Sequence, residues 1–254
     1  TSYPLHWITL RLMVFCMVFA RTSTMKFTRS IDRDIDAKHP RTTVRDITDG
    51  RISPASALTF TIINCSLFII TTLFINRLCF YLSPVALTVV LGYSATKRFT
   101  ALCHLVLGLG LSLAPIGAYL VVTGAFALLP VFFSLSVLCW VSGFDIIYAL
   151  QDEDFDRNEQ LHSIPAYLGK INALRLSSFL HVLSAAFIVT PIFFTVVGWP
   201  YYIGIVFFCT MLIYQHRLVK PNDLSRVNFA FMTTNGIASV VFAVFFLIDR
   251  LWIR

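Results

Sequence analysis

Two short segments hold the side chains best suited to chemistry. They are Thr28-Arg29-Ser30-Ile31-Asp32-Arg33-Asp34-Ile35-Asp36 and Asp145-Ile146-Ile147-Tyr148-Ala149-Leu150-Gln151-Asp152-Glu153-Asp154-Phe155-Asp156. Each contains a DxxxD pair, Asp32 with Asp36 and Asp152 with Asp156. Residues four apart share one face of a helix, so each pair converges there, with Tyr148 and Asp145 one and two turns back from Asp152. Like charges so placed repel by roughly a few tenths of a kcal/mol on a solvated helix, and by more beside a bilayer. A bound cation reverses that sign. Mg²⁺ takes one or two carboxylates, keeps several waters and completes its octahedron with phosphate oxygens. Two DxxxD pairs therefore suit Mg²⁺ ions bridging one diphosphate. The competing reading makes these solvated loop charges, neutralised by Arg29, Arg33, Lys38 and Arg157.

Cationic candidates lie nearby in sequence. Lys97 and Arg98, with Tyr93 a turn earlier, occupy a short connection where they either grip a phosphate or merely orient the chain, and Arg41 and Arg45 carry the same two readings. His104, His181 and His216 are read as ordinary buried histidines rather than general bases. Six cysteines form no CxxC pair and lie in or at the ends of apolar runs, which favours buried thiols over metal or disulfide chemistry. The 24 Phe can wall off a reactive cation, but none is assigned to a cavity.

The elements that must position these residues are membrane helices. The chain is 57% hydrophobic and only 13% charged, against about 25% charged in a soluble domain. A bilayer core needs about 20 apolar residues per helix, which places eight spans near 5–27, 57–76, 79–95, 100–122, 126–150, 174–197, 199–216 and 228–248. With no Pro/Ser-rich or Gly/Ser-rich linker between them, residues 1–254 read as one all-α, polytopic helical bundle. Alternation puts 28–56, 96–99, 151–173 and 217–227 on one side. Of the 20 Lys and Arg, only Arg77, Arg250 and Arg254 fall on the other side, and Arg11 lies within a span. The positive-inside rule makes the rich side cytoplasmic, in a plasma or inner membrane. This distribution also accounts for the net charge of +7 without nucleic acid. Eleven of the thirteen acidic residues share the same side. The N-terminus then falls outside, which suggests an additional helix upstream of Thr1.

These residues resemble the UbiA superfamily of intramembrane prenyltransferases. Its NxxxDxxxD motif is similar to Thr28-x3-Asp32-x3-Asp36, and its DxxYxxxDxxxD motif to Asp145, Tyr148, Asp152 and Asp156. Pro40-Arg41-Thr42-Thr43-Val44-Arg45 resembles the Arg-Thr-x-x-Arg stretch of the quinone-forming branch. Tyr93-Ser94-Ala95-Thr96-Lys97-Arg98 resembles its Tyr-x-x-x-Lys-Arg segment, and His162-Ser163-Ile164-Pro165 the stretch after the second motif. Thr28 departs from the family Asn, and Ile47-Thr48-Asp49-Gly50 replaces a Leu-Pro-x-Gly turn. The family has nine transmembrane helices, which again implies one before the eight.

The resemblance implies a mechanism. Asp-bound Mg²⁺ and basic residues stabilise diphosphate as a leaving group, and an aromatic ring attacks the allylic cation in a site closed to water. Expected partners are the lipid bilayer, a polyprenyl diphosphate and an aromatic acid, 4-hydroxybenzoate or a dihydroxynaphthoate of ubiquinone or menaquinone biosynthesis. The resemblance assigns catalysis to Asp32, Asp36, Asp145, Tyr148, Asp152 and Asp156. It gives metal binding to Asp32, Asp36, Asp152 and Asp156, and substrate binding to Thr28, Arg41, Arg45, Lys97 and Arg98. Two rivals fit less well. A CDP-alcohol phosphotransferase keeps its acids in one continuous segment, and a transporter places ion sites near the midplane on broken helices.

Overall fold

A computed structural model describes residues 7–38 and 42–252, and within them the regular structure is helical, with no β-strand. Eight long helices occupy the eight expected runs. They are α1 (Trp7–Ile31), α3 (Pro54–Leu73), α4 (Arg77–Thr96), α5 (Cys103–Thr123), α6 (Leu128–Ala149), α8 (Ile164–Val189), α9 (Trp199–Leu218) and α10 (Asn235–Trp252), the last preceded by a π-helical turn at Phe229–Thr234. Two short helices, α2 (Arg33–Asp36) and α7 (Glu153–Asn158), follow α1 and α6.

Local chemistry explains most boundaries. Ser53 caps α3 by accepting the Ser56 N–H, and Pro54 takes the first helical position, where its missing N–H costs nothing. Asn76 caps α4 in the same way through Cys79, and its amide donates to the Leu120 carbonyl of α5. Gly124 ends α5 in the left-handed conformation. The expected 174–197 span differs most from the structure, because α8 begins ten residues earlier. Ser163 caps it and Pro165 follows. Gly169, at φ 75°, then breaks the first turn from the rest, so charged Lys170 and Arg175 lie within an element whose apolar run starts later.

Seven of the long helices are both long and apolar enough to span a bilayer. Among the eight, α9 falls short in hydropathy because Tyr201, Tyr202, Gln215, His216 and Arg217 crowd its ends. It nevertheless runs alongside α10 for the full length. At one end Asp249 accepts the Gly198 N–H and Arg250 donates to the Val196 carbonyl, while at the other Gln215 donates to the Ala230 carbonyl.

The centre of the bundle is α6, and small residues let its neighbours approach closely. A Cβ on Gly108 of α5 would overlap the Ser142 hydroxyl and the Leu138 carbonyl, and one on Gly143 would overlap the His181 ring of α8. Ser136 and Ser184 exchange hydrogen bonds of 2.9 Å with each other's carbonyls, and Ser177 donates to the Gly143 carbonyl at 2.7 Å. Small residues and hydroxyls join helices in this way where apolar burial supplies no net drive. The result fixes the helix that carries Asp145 and Tyr148.

Candidate active site

Both acidic segments end at the same side of the bundle, and between them lies a cavity of about 420 Å³. Thr28, Asp32, Asp36, Arg45, Lys97, Arg98, Asp145, Tyr148, Asp152 and Asp156 all line it. Arg41, the remaining candidate, falls outside the described residues. The two DxxxD pairs are not on continuous helix. The first straddles the end of α1, but Asp36 N–H still donates to the Asp32 carbonyl at 2.7 Å, so helical spacing survives. The second follows a 3-10 turn at Leu150–Asp152 and enters α7. Both pairs still face one space.

Of the counter-charges expected for solvated loop carboxylates, Arg33 and Arg157 do pair within the acidic segments, but with Asp34 and Glu153 rather than with the cavity's Asp32, Asp36 or Asp156. Arg29 pairs with Asp46, Arg33 with Asp34, Lys38 with Glu159 and Arg157 with Glu153. The cavity acids instead meet cavity cations. Arg45 Nη1 reaches both oxygens of buried Asp36, at 2.9 and 2.7 Å. Arg98 Nη2 donates to the Ile31 carbonyl at 2.5 Å and lies 3.5 Å from Asp32. Lys97 Nζ comes within 2.7 Å of Asp156 Oδ1. That contact lacks hydrogen-bond geometry, and both oxygens of the fully buried Asp156 otherwise have no hydrogen-bond partner. Burial also raises the Asp32 carboxyl above its ordinary value; Arg98 opposes this and Asp36 reinforces it.

Among the described residues, five lining carboxylates thus face three lining cations. Orphaned, desolvated carboxylate oxygens are costly unless a cation completes them. Among the described residues, no three His, Cys, Asp or Glu side chains converge tightly enough to cage a metal alone. This is the donor set Mg²⁺ favours: a few carboxylates, with the remaining positions left to water and phosphate oxygens.

Loop contacts hold the cations in place. The His162 N–H donates to the Lys97 carbonyl at 2.8 Å, and Cys103 Sγ donates to the His162 carbonyl at 3.5 Å. These contacts tie the α4–α5 connection to the segment after α7, while Lys38–Glu159, at 2.5 Å, spans from the α2 side to the α7 side. Thr28 Oγ1 is committed elsewhere, donating to the Thr24 carbonyl at 2.8 Å and lying 2.6 Å from Ser94 Oγ. Phe155, Cys103 and His104 also line the cavity and were not anticipated from sequence. His104 Nδ1 lies 2.7 Å from Asp145 Oδ2. The one linear hint was that His104 follows the Lys97-Arg98 connection by a turn or two, at the start of α5. The tyrosine of the second motif is braced from outside the cavity, with its ring centroid 4.2 Å from that of Phe231.

The model of the UbiA prenyltransferase family matches residues 1–243. A 4-hydroxybenzoate octaprenyltransferase of Alkalilimnicola ehrlichii is 28% identical over 213 residues, covering 83% of this chain and 72% of that protein. Its counterpart in Francisella tularensis subsp. novicida is 26% identical over 211 residues, covering 83% and 74%. Among solved structures, an apo UbiA homologue from Aeropyrum pernix has a TM-score of 0.88 at 28% identity, over 98% of this chain and 92% of that one. A UbiA homologue from Archaeoglobus fulgidus, bound to DMAPP and Mg²⁺, shares the fold with a TM-score of 0.75 at 19% identity, over 98% and 90%. The chain is a multi-pass membrane protein and belongs to the UbiA prenyltransferase family.

Proposed function

We propose that this chain transfers a polyprenyl group from a polyprenyl diphosphate to an aromatic acid, 4-hydroxybenzoate or a dihydroxynaphthoate, for ubiquinone or menaquinone biosynthesis. The observation that carries this reading is the cavity that gathers Asp32, Asp36, Asp152 and Asp156 around Arg45, Lys97 and Arg98. The relatives named 4-hydroxybenzoate octaprenyltransferase support the acceptor class. Mg²⁺ is the expected cofactor, held by Asp32, Asp36, Asp152 and Asp156, where it would supply Lewis-acid stabilisation of the leaving diphosphate. The Archaeoglobus fulgidus homologue with DMAPP and Mg²⁺ supports that choice.

The chain's own groups have separable tasks. Arg45, Lys97 and Arg98 offer hydrogen bonds to phosphate oxygens and, once diphosphate enters, exchange their carboxylate partners for it. The apolar walls of Ile35, Ala149, Phe155 and Leu161 exclude water from the reacting carbon. Carboxylates at one end of the bundle, rather than at its midplane, argue against ion transport. The basic side containing the site faces the cytoplasm of a plasma or inner membrane under the positive-inside rule. The test incubates purified protein in detergent with radiolabelled polyprenyl diphosphate, Mg²⁺ and each acceptor. A prenylated acid is the expected product, and release of diphosphate with no prenylated acid from any acceptor overturns the assignment.

A further inference from the structure

His104 is a buried histidine with both ring nitrogens engaged. Its Nε2 lies 3.3 Å from the Ile164 backbone nitrogen and its Nδ1 lies 2.7 Å from Asp145 Oδ2. A backbone N–H only donates, so Nε2 is the acceptor and carries no proton. Nδ1 therefore bears the proton and donates it to the Asp145 carboxylate. The segment that sets this tautomer is itself fixed, because His162 bonds to Lys97 and Cys103 on either side of it. The imidazole, only 4% exposed, has nothing left to offer a ligand.

Asp145 is in the opposite condition. His104 engages Oδ2 alone, while among the described residues Oδ1 makes no hydrogen bond. Asp145 lines the cavity with its side chain 18% exposed. It lies seven residues before Asp152, about 10 Å along the helix at 1.5 Å per residue, and so sits deeper than the carboxylates suited to diphosphate. Lys97, Arg98 and Arg45 pair with other acids. Asp145 thus has a single histidine donor for a partner, one oxygen without a hydrogen bond on a side chain that lines the cavity, and a position below the diphosphate end.

We propose that Asp145, held in place by His104, is the acceptor-side base of this site, with Oδ1 receiving the proton of a phenolic hydroxyl on the aromatic substrate. His104 is a positioning residue and does not touch the substrate. This rests on the transferase reading above. As the C–O bond to diphosphate breaks, its electron pair leaves with the diphosphate oxygen. The ring carbon ortho to the hydroxyl supplies the pair for the new C–C bond, and the hydroxyl proton passes to Asp145. The resulting dienone regains aromaticity when the ring C–H proton is lost to the departing diphosphate and Asp145 returns its proton to the oxygen. Base and ionisation machinery are thereby separated along one cavity, and the two halves of the reaction should be separable by mutation.

The experiment measures two products from the same membranes at saturating Mg²⁺: prenylated acceptor and the prenyl alcohol formed when water captures the cation. The readout is the ratio of transfer to hydrolysis, which a purely structural defect does not change. Asp145→Asn and His104→Val should each lower that ratio at least about tenfold, the low end of general-base contributions. His104→Asn, whose amide N–H can replace Nδ1–H, should restore most of it. Parallel loss of both products at constant ratio overturns the proposal and places Asp145 with the diphosphate groups. Retention of the wild-type ratio in Asp145→Asn overturns it as well. Wild-type protein that forms neither product defeats the transferase reading itself, a result distinct from either. Asp145→Asn is isosteric and serves where His104→Val does not fold.

Discussion

Replacing Arg45 with Met should expose the electrostatic strain stored at the site. Arg45 makes a two-pronged contact with Asp36, whose side chain is 8% exposed, while the guanidinium itself is 38% exposed. Exposed pairs contribute up to about 1 kcal/mol, whereas removing one partner of a fully buried pair costs about 3–5 kcal/mol. The half-open geometry lies between these limits, so the metal-free protein should lose about 2 kcal/mol. For a chain of this size that corresponds to a fall of about 4–8 °C in Tm. The loss arises from a stranded carboxylate, so Asp36→Asn combined with Arg45→Met should recover most of it, giving a coupling of about 1 kcal/mol or more in a double-mutant cycle. Adding Mg²⁺ should stabilise Arg45→Met by more than it stabilises wild type, because the cation supplies the missing counter-charge without first displacing a guanidinium. The assay is thermal unfolding in detergent with EDTA or Mg²⁺. A single-variant Tm within about 1 °C of wild type, or additive effects in the cycle, would refute the argument.

Asp32 gives a pH signature. Burial raises its carboxyl above the ordinary value, so between those two values the folded protein binds more protons than the unfolded chain. The contribution of this group to stability therefore falls as pH rises through that window. Asp32→Asn should gain Tm over metal-free wild type, with the gain growing from about pH 4 towards neutrality while prenyl transfer is lost; a gain independent of pH counts against it. Asp152→Ala and Asp156→Ala should each lower turnover at least about tenfold, or about 1.4 kcal/mol of transition-state stabilisation; full activity in both, with normal folding, removes the diphosphate reading. Thr28→Val breaks the contact with Ser94 and should cost about 1 kcal/mol of stability, measured by the same thermal scan. Thr28→Asn should preserve or raise turnover and lower the Mg²⁺ needed for half-maximal rate, and no change in either places Thr28 outside the cation's surroundings.

The carboxylate pairs were legible because a spacing of four is a local quantity, which survives the helix breaks at Asp32 and Leu150. The spans were legible because apolar run length is also local. What escaped depends on contacts distant in sequence. His104 and Asp145 are 41 residues apart, and no periodicity joins them. Arg157 and Lys38, one and two residues from the site carboxylates Asp156 and Asp36, looked like their counter-ions, but the fold gives them Glu153 and Glu159. The early start of α8 was hidden for another reason, since Ser163 and Pro165 form a good helix start ahead of polar residues that mask the apolar run.

The placement of α6 has a consequence for how the membrane itself acts on this protein. Only Leu128, at the end far from the site, is exposed along its length. Its other residues are buried or half-buried, with Gly108 of α5 seated against its Leu138 and Ser142 and α8 against its own Gly143. Lipid presses on the outer helices and scarcely on this one, so bilayer thickness, fluidity and headgroup mixture have little leverage over the spacing of Asp145 and Tyr148. A change of growth temperature or lipid supply would then alter how the greasy substrate arrives from the bilayer, while the reacting groups keep their separation.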